Sequence, residues 1–361
     1  MEVPKNIDDL IREAVKLGGS DLHISVGAQP RVRIHGNITN MNYSVITPPI
    51  ASDLLMPLMD TLARSTLNTV GQYDMAYSVH RVARLRVSIF KQKGDLAGVF
   101  RVLNENVPDY RRLGIPLNVF NMYKKRRGMI LIVGPTGSGK STTLASFLDI
   151  INKNLQKHII TLEDPIEYLH WHSKSLINQR EIGTDCDTFA NGLRAALRED
   201  PDVILIGEMR DLETTEIALE SAETGHLVCS TLHTLGAAET INRIVDMYPE
   251  RQHNQVRSQL CAILEAVVSQ QLLPKADGTG YVAAFEVMFK NKKIQHMIHD
   301  NDIDAISEYL WEPEAVREGM VAMDVTIMNL YKTKKITRET ALDYSFDRRE
   351  MAKKLAALDK S

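Results

Sequence analysis

Gly134-Pro135-Thr136-Gly137-Ser138-Gly139-Lys140-Ser141 constrains the fold of this chain more than any other stretch. It fits G-x-x-x-x-G-K-[ST], follows the apolar run Met129-Ile130-Leu131-Ile132-Val133, and leads into Ser141-Thr142-Thr143-Leu144, which opens a helix. A buried strand, a glycine-rich turn and a helix N-terminus in that order turn backbone N–H groups toward an anion and add a favourable dipole. The pattern predicts a phosphate cradle made of Gly134, Pro135, Thr136, Gly137, Ser138, Gly139, Lys140, Ser141 and Thr142. Lys140 would neutralise β and γ phosphates and Ser141 would ligate Mg²⁺, so ATP and Mg²⁺ are the expected cofactors.

The surrounding pattern agrees. Strand-like runs at 129–133, 158–162, 203–207 and 226–232 alternate with helical stretches at 140–152, 187–198 and 212–222. Such alternation predicts a parallel sheet covered on both faces. Helices near 237–247 and 253–272, a strand at Tyr281 to Phe289, and a charged helical region at 291–361 complete this part. Upstream, residues 4–18 and 51–66 read as helices, and 22–26, 31–35, 73–79, 82–91 and 96–103 read as strands with antiparallel turns, an α+β block. Pro108, Pro116 and the basic run Lys124-Lys125-Arg126-Arg127, read as a solvated helix face, mark a boundary. The expected division is 1–104, a linker 105–127, 128–290 and 291–361.

Composition narrows the function. Lys plus Arg is 43 against 46 Asp plus Glu, a net charge of -3 that disfavours a nucleic-acid binder. The 3 cysteines, Cys186, Cys229 and Cys261, form no CxxC, so neither a disulfide framework nor a structural zinc site is expected. No run approaches the roughly 20 apolar residues of a membrane span, and the N-terminus lacks a signal-peptide pattern. The expected location is the cytoplasm, with membrane association only through a partner.

A phosphate cradle alone does not hydrolyse. Glu163 and Asp164 end the strand 158–162, and Glu208 ends 203–207; at carboxyl ends of parallel strands such acids gather at the ligand crevice. Gly207 stands where an Asp is usual, which leaves Glu208 as the metal-facing carboxylate. His226 and His233 bracket the strand 227–232, about 23 Å apart if both lie in it, too far to share a metal. Arg84 and Arg86 alternate with Leu85, so they share one strand face.

Four segments carry a resemblance. GPTGSGKSTT (134–143), TLEDPIEY (161–168), ALREDPDVILIGEMRD (196–211) and AETGHLVCSTLHT (222–234) resemble the Walker A, Asp, Walker B and His boxes of the secretion and type IV pilus ATPase superfamily. GSDLHIS (19–25) and ARLRVS (83–88) are similar to the N-terminal domain of its pilus retraction branch, and the likeness spans about residues 5–290. It implies a PAS-like α+β domain, a RecA-like α/β ATPase domain with the C-terminal helical region behind it, and a ring-shaped homohexamer with ATP at domain and subunit seams. By position it makes Glu163 the base or water-positioning group and Glu208 a Mg²⁺ support. It places His226 and His233 in the His box, brings Arg84 and Arg86 to phosphate, and makes Arg194, Arg198 and Arg210 further contact candidates. The function it implies is ATP-driven pilus retraction and twitching motility, at the cytoplasmic face of the inner membrane. Its partners would be a platform protein of that membrane and a paralogous retraction ATPase. Pilus-assembly and type II secretion ATPases usually carry a tetracysteine zinc element that this sequence lacks. Residues 293–300, KIQHMIHD, depart from the basic pattern of the retraction branch, which leaves main motor and accessory paralogue as alternatives.

Overall fold

The computed structural model describes residues 2–34, 36–103 and 107–359, so the expected boundary at 104–105 and His35 of the second strand lie outside the described residues. The chain divides into two compact units, one made of residues within 2–103 together with 167–169, the other within 107–166 and 170–359.

In the first unit, helix α1 (Ile7–Lys16) starts at Asn6, whose side chain accepts from the Asp9 N–H, and buries Ile7, Leu10, Ile11 and Ala14. The strands are β1 (Asp21–Ser25), β2 (Arg31–Ile34), β3 (Asn37–Asn40), β4 (Gln72–Val79), β5 (Ala83–Gln92) and β6 (Asp95–Leu103). They form a six-stranded sheet in the order β3-β2-β1-β6-β5-β4, antiparallel throughout. The helix expected at 51–66 is two helices, α2 (Pro48–Leu55) and α3 (Thr61–Val70), separated by a 3₁₀ turn at Met56–Leu58. Pro57 has no N–H to continue the first helix, and the Asp60 side chain caps the second by accepting from the Ala63 N–H. Leu54, Leu67, Leu85, Val87 and Phe100 meet in the core between helices and sheet.

The second unit begins with α4 (Leu117–Asn121), and Ile115, Val119 and Phe120 pack into its core. The run 124–127 is exposed, as expected, but instead of a helix face it forms the end of a 3₁₀ turn (Lys124) and the irregular chain after it, and Lys125 pairs with Glu265. Then follow β7 (Gly128–Val133), α5 (Lys140–Asn154), β8 (His158–Glu163), β9 (Leu176–Glu181), α6 (Phe189–Ala196), β10 (Val203–Ile206), α7 (Leu212–Glu223), β11 (Leu227–Leu232), α8 (Ala237–Asp246) and α9 (His253–Ile263). Two long strands, β12 (Leu264–Pro274) and β13 (Tyr281–Phe289), close the sheet. The last helices are α10 (Lys292–His299), α11 (Asp304–Tyr309), α12 (Pro313–Arg317), α13 (Met323–Lys332), α14 (Arg338–Tyr344) and α15 (Arg348–Leu358).

The sheet order is β13-β12-β7-β11-β10-β8-β9, parallel except where β13 pairs antiparallel with β12. Alternate residues of β7 feed separate cores: Met129, Leu131 and Val133 pack toward α7, α8 and α9, while Ile130 and Ile132 pack toward α5. This is the doubly covered α/β layer the alternation predicts. Two expectations need correction. The helix assigned to 253–272 stops at Ile263 and the chain continues as β12. Its helix-forming Leu, Glu, Ala and Gln residues are overridden by pairing with two neighbouring strands. β9, an edge strand, is additional to the expected set.

Neither Gly236 before α8 nor Ala322 before α13 makes a side-chain cap. Glu286 of β13 serves both helices, accepting from the Ala237 N–H through Oε1 (2.8 Å) and from the Met323 N–H through Oε2 (3.4 Å). Burial raises its carboxyl above the ordinary value near 4.5, against the lowering effect of those two N–H groups. A raised folded-state value means that this group's contribution to stability is full below pH 4.5 and is lost as pH rises through the folded value. Thermal melts of wild type and Glu286→Gln from pH 4 to 8 should therefore show the wild type's relative stability declining as pH increases. Parallel curves would contradict the shift.

Candidate active site

The sheet order explains what converges at its carboxyl edge. From β7 outward the strands are β11, β10 and β8, so the phosphate loop, His233, Glu208 and Glu163 follow one another along that edge. Neighbouring strands lie about 4.8 Å apart, which puts the root of the loop about 10 Å from the end of β10. His233 spans this gap. Its Nδ1 lies 3.3 Å from Thr136 Oγ1 of the loop, and its Nε2 lies 3.2 Å from Glu208 Oε1. Arg210 Nε donates to the other Glu208 oxygen at 2.7 Å, and its Nη1 stands 4.0 Å from Asp164 beyond β8. A polar chain Thr136–His233–Glu208–Arg210–Asp164 thus crosses the strand ends.

The loop is built for close backbone approach. Gly137 (φ 78°) and Gly139 (φ 88°) are left-handed. A Cβ on Gly134 would fall 2.2 Å from the carbonyl oxygen of Gln270, and one on Gly139 would fall 2.8 Å from the Gln270 amide nitrogen. Lys140 is 8% exposed and its Nζ donates to the carbonyls of Gly134 (2.7 Å) and Pro135 (3.0 Å). Ser141 and Thr142 sit half-buried in the first turn of α5.

Gly207 lies close against β8. Its N–H donates to Leu162 O at 2.8 Å, and a Cβ there would come 3.2 Å from that oxygen. Thr231 Oγ1 donates to Gly207 O (2.6 Å), fixing the turn that presents Glu208. Glu163 is oriented by two donors to Oε1, Thr161 Oγ1 at 2.6 Å and Gln179 Nε2 at 3.0 Å. Gln179 lies on β9 opposite Thr161, so missing that strand also hid this residue.

Other candidates lie elsewhere. His226 is at the amino end of β11, its Nδ1 2.9 Å from Ser221 O. The loop begins at the carboxyl end of β7, which runs parallel to β11, so the two histidines stand on opposite edges of the sheet. Arg194 ties α6 to α7 through Glu213 (2.7 Å), and Arg198 is exposed just after α6. Arg84 and Arg86 lie on β5 in the first unit, Arg86 directly across from Arg101 of β6. Arg101 Nε in turn donates to the buried Asp21 at 2.9 Å.

A parallel sheet with a glycine loop, an inward lysine and acids at adjacent strand ends defines a P-loop nucleoside triphosphatase. A family model described as type II/IV secretion system protein matches residues 1–341. The type IV pilus retraction ATPase PilT of Pseudomonas aeruginosa is 40% identical over 93% of this chain and 97% of its own. A twitching motility protein of Neisseria gonorrhoeae is 42% identical over 86% of this chain and 83% of its own. The crystal structure of the pilus retraction motor PilT with bound ADP superposes with a TM-score of 0.90 at 45% identity, covering 96% of this chain and 98% of that one. The chain belongs to the type II/IV secretion system protein family, as a retraction-type ATPase.

The loop geometry yields a direct test. Gly134→Ala forces a methyl group onto a backbone oxygen that cannot swing away, in a conformation (φ 144°) that alanine rarely adopts. Urea unfolding should show a loss of about 3 kcal/mol or more. A loss below about 1 kcal/mol would mean that the loop does not rest on β12 as described.

Proposed function

We propose that the chain is the motor of type IV pilus retraction, an ATP-hydrolysing homohexamer that draws pilin subunits out of the fibre. The observation that carries the reading is the polar chain from Thr136 through His233 to Glu208, which joins the phosphate loop to an acid two strands away. The similarity to retraction ATPases supports the pilus as the load. In this reading the N–H groups of Gly134 to Thr142 and the Lys140 ammonium hold the phosphates. Glu163, its carboxylate aligned by Thr161 and Gln179, orients the attacking water. His233 acts as the sensor of the terminal phosphate, since it contacts both the loop and Glu208. His226, on the opposite edge, is assigned no part in the chemistry of its own chain's site.

Ser141 and Glu208 offer a hydroxyl and a carboxylate, an oxygen set suited to Mg²⁺, which commonly binds through one or two protein groups together with substrate phosphates and water. When bound, the ion would neutralise charge developing on the phosphates. Among the described residues, no group of three His, Cys, Asp or Glu forms a self-sufficient metal cluster. Arg84 and Arg86 are assigned to the nucleotide seam of a neighbouring subunit, where positive charge is worth about 10³–10⁵ in turnover. No helix among the described residues is long and apolar enough to cross a membrane. The ring is placed at the cytoplasmic face of the inner membrane, against a platform protein and a paralogous ATPase.

Three measurements test the scheme. Lys140→Ala should abolish ATP turnover. Glu208→Ala should bind a fluorescent ATP analogue yet turn over at least about a hundredfold more slowly. Arg84→Ala should lower kcat more than affinity. Full steady-state turnover in Glu208→Ala would remove the catalytic assignment. For the biological role, deleting the gene should increase surface pili; their disappearance would identify an assembly motor instead.

A further inference from the structure

β12 touches both the phosphate loop and the His233 loop, and it makes those contacts with two consecutive residues. Successive strand residues face opposite sides of a sheet. Ser269, fully buried and level with Val133 at the end of β7, points toward α8, and its Oγ accepts from the Gly236 N–H at 3.1 Å, three residues after His233. Its cross-strand partner is Glu286, which caps the next N–H, that of Ala237. Gln270 points the other way, toward α5. Its Oε1 accepts from Thr143 Oγ1 at 2.6 Å. Its amide nitrogen lies beneath Gly139, and its backbone carbonyl lies beneath Gly134. Both ends of the glycine loop therefore rest on one residue that is 4% exposed.

Chemistry argues that this amide is more than filling. The preceding residues on the same face, Ala266 and Val268, are apolar and fully buried, in a core shared with Phe147 and Leu148 of α5. Continuing that row with an aliphatic side chain would satisfy packing. A buried amide is tolerated only when it is hydrogen-bonded, and the bond it makes goes to the first turn of the phosphate-binding helix. Small displacements of groups that line up a reacting phosphate are costly to rate.

We propose that Gln270 is a positioning residue for ATP turnover, holding the phosphate loop at the height from which Thr136 meets His233, with Thr143 as its handle. The inference rests on the reading of residues 134–142 as the nucleotide cradle. It acts on the rate of the chemical step rather than on ground-state binding, because it sets the loop's position against the His233 loop, which Ser269 and Glu286 anchor separately.

The test uses the purified full-length chain in steady-state ATP hydrolysis, with mant-ADP binding and thermal melts as controls on folding. Gln270→Met keeps the length and removes the amide; Thr143→Val keeps the shape and removes the donor. Each should lower kcat about tenfold to a hundredfold with KM changed less than about threefold. The double variant should be no slower than the slower single, since both remove one interaction, and Thr143→Ser should restore most of the rate. A kcat within twofold of wild type in folded Gln270→Met overturns the proposal. So does a rise in KM alone, or losses that multiply in the double variant. Should Gln270→Met not fold, wild-type kcat in Thr143→Val overturns it equally. Lys140→Ala run alongside separates the failures: turnover surviving there refutes the cradle itself, whereas its loss beside a normal Gln270→Met refutes only the role of Gln270.

Discussion

The phosphate loop can be shaped by glycines only because its root cannot move. Val133, the last residue of β7, is paired on one side with Leu232 of β11 and on the other with Ser269 of β12. A backbone bonded on both flanks and buried on both faces has no soft direction, so the strain of the turn that follows is confined to Gly134–Gly139. Three of those positions have φ values that a side chain would resist, and two of them press on Gln270. The cradle is stiff because of what surrounds it. The flexible residues are those that give it its shape.

The same rigidity gives the charged groups their order. In a parallel sheet every strand delivers its following loop to the same edge. Here β11 lies between β7 and β10, and it is the residue that follows β11, His233, that connects their loops. A histidine suits the place because one ring nitrogen can face a hydroxyl while the other faces a carboxylate. Thr136 and Glu208 are thus linked through a single planar ring.

Most of this architecture was legible in the sequence where local pattern and final environment agree. The glycine loop announces itself because its residues are chosen for backbone conformation, a local property. The continuous apolar runs of β7, β10 and β11 announce burial on both faces. Legibility failed where pairing overruled propensity. Leu264 to Leu272 reads as the tail of a helix, and pairing with β7 and β13 on either side makes it a strand. With β12 misread, Ser269 and Gln270 had no visible task, and Thr143 looked like one more helix residue. Gln179 was hidden in the same way by the polar edge strand β9. The spacing of His226 and His233 correctly placed them at two ends of a strand. Which end holds the phosphate loop depends on strand direction, and parallel pairing with β7 decides it.

Glu286 gives the C-terminal helices a mechanical meaning. One carboxylate is the seat of both α8, which leaves the His233 loop, and α13, which begins the last helical layer. Two levers share a single fulcrum. The first turns of α8 and α13 are joined through this carboxylate by a path that does not cross the sheet. A stretch of chain with no catalytic motif in it is thereby tied to the loop that carries His233.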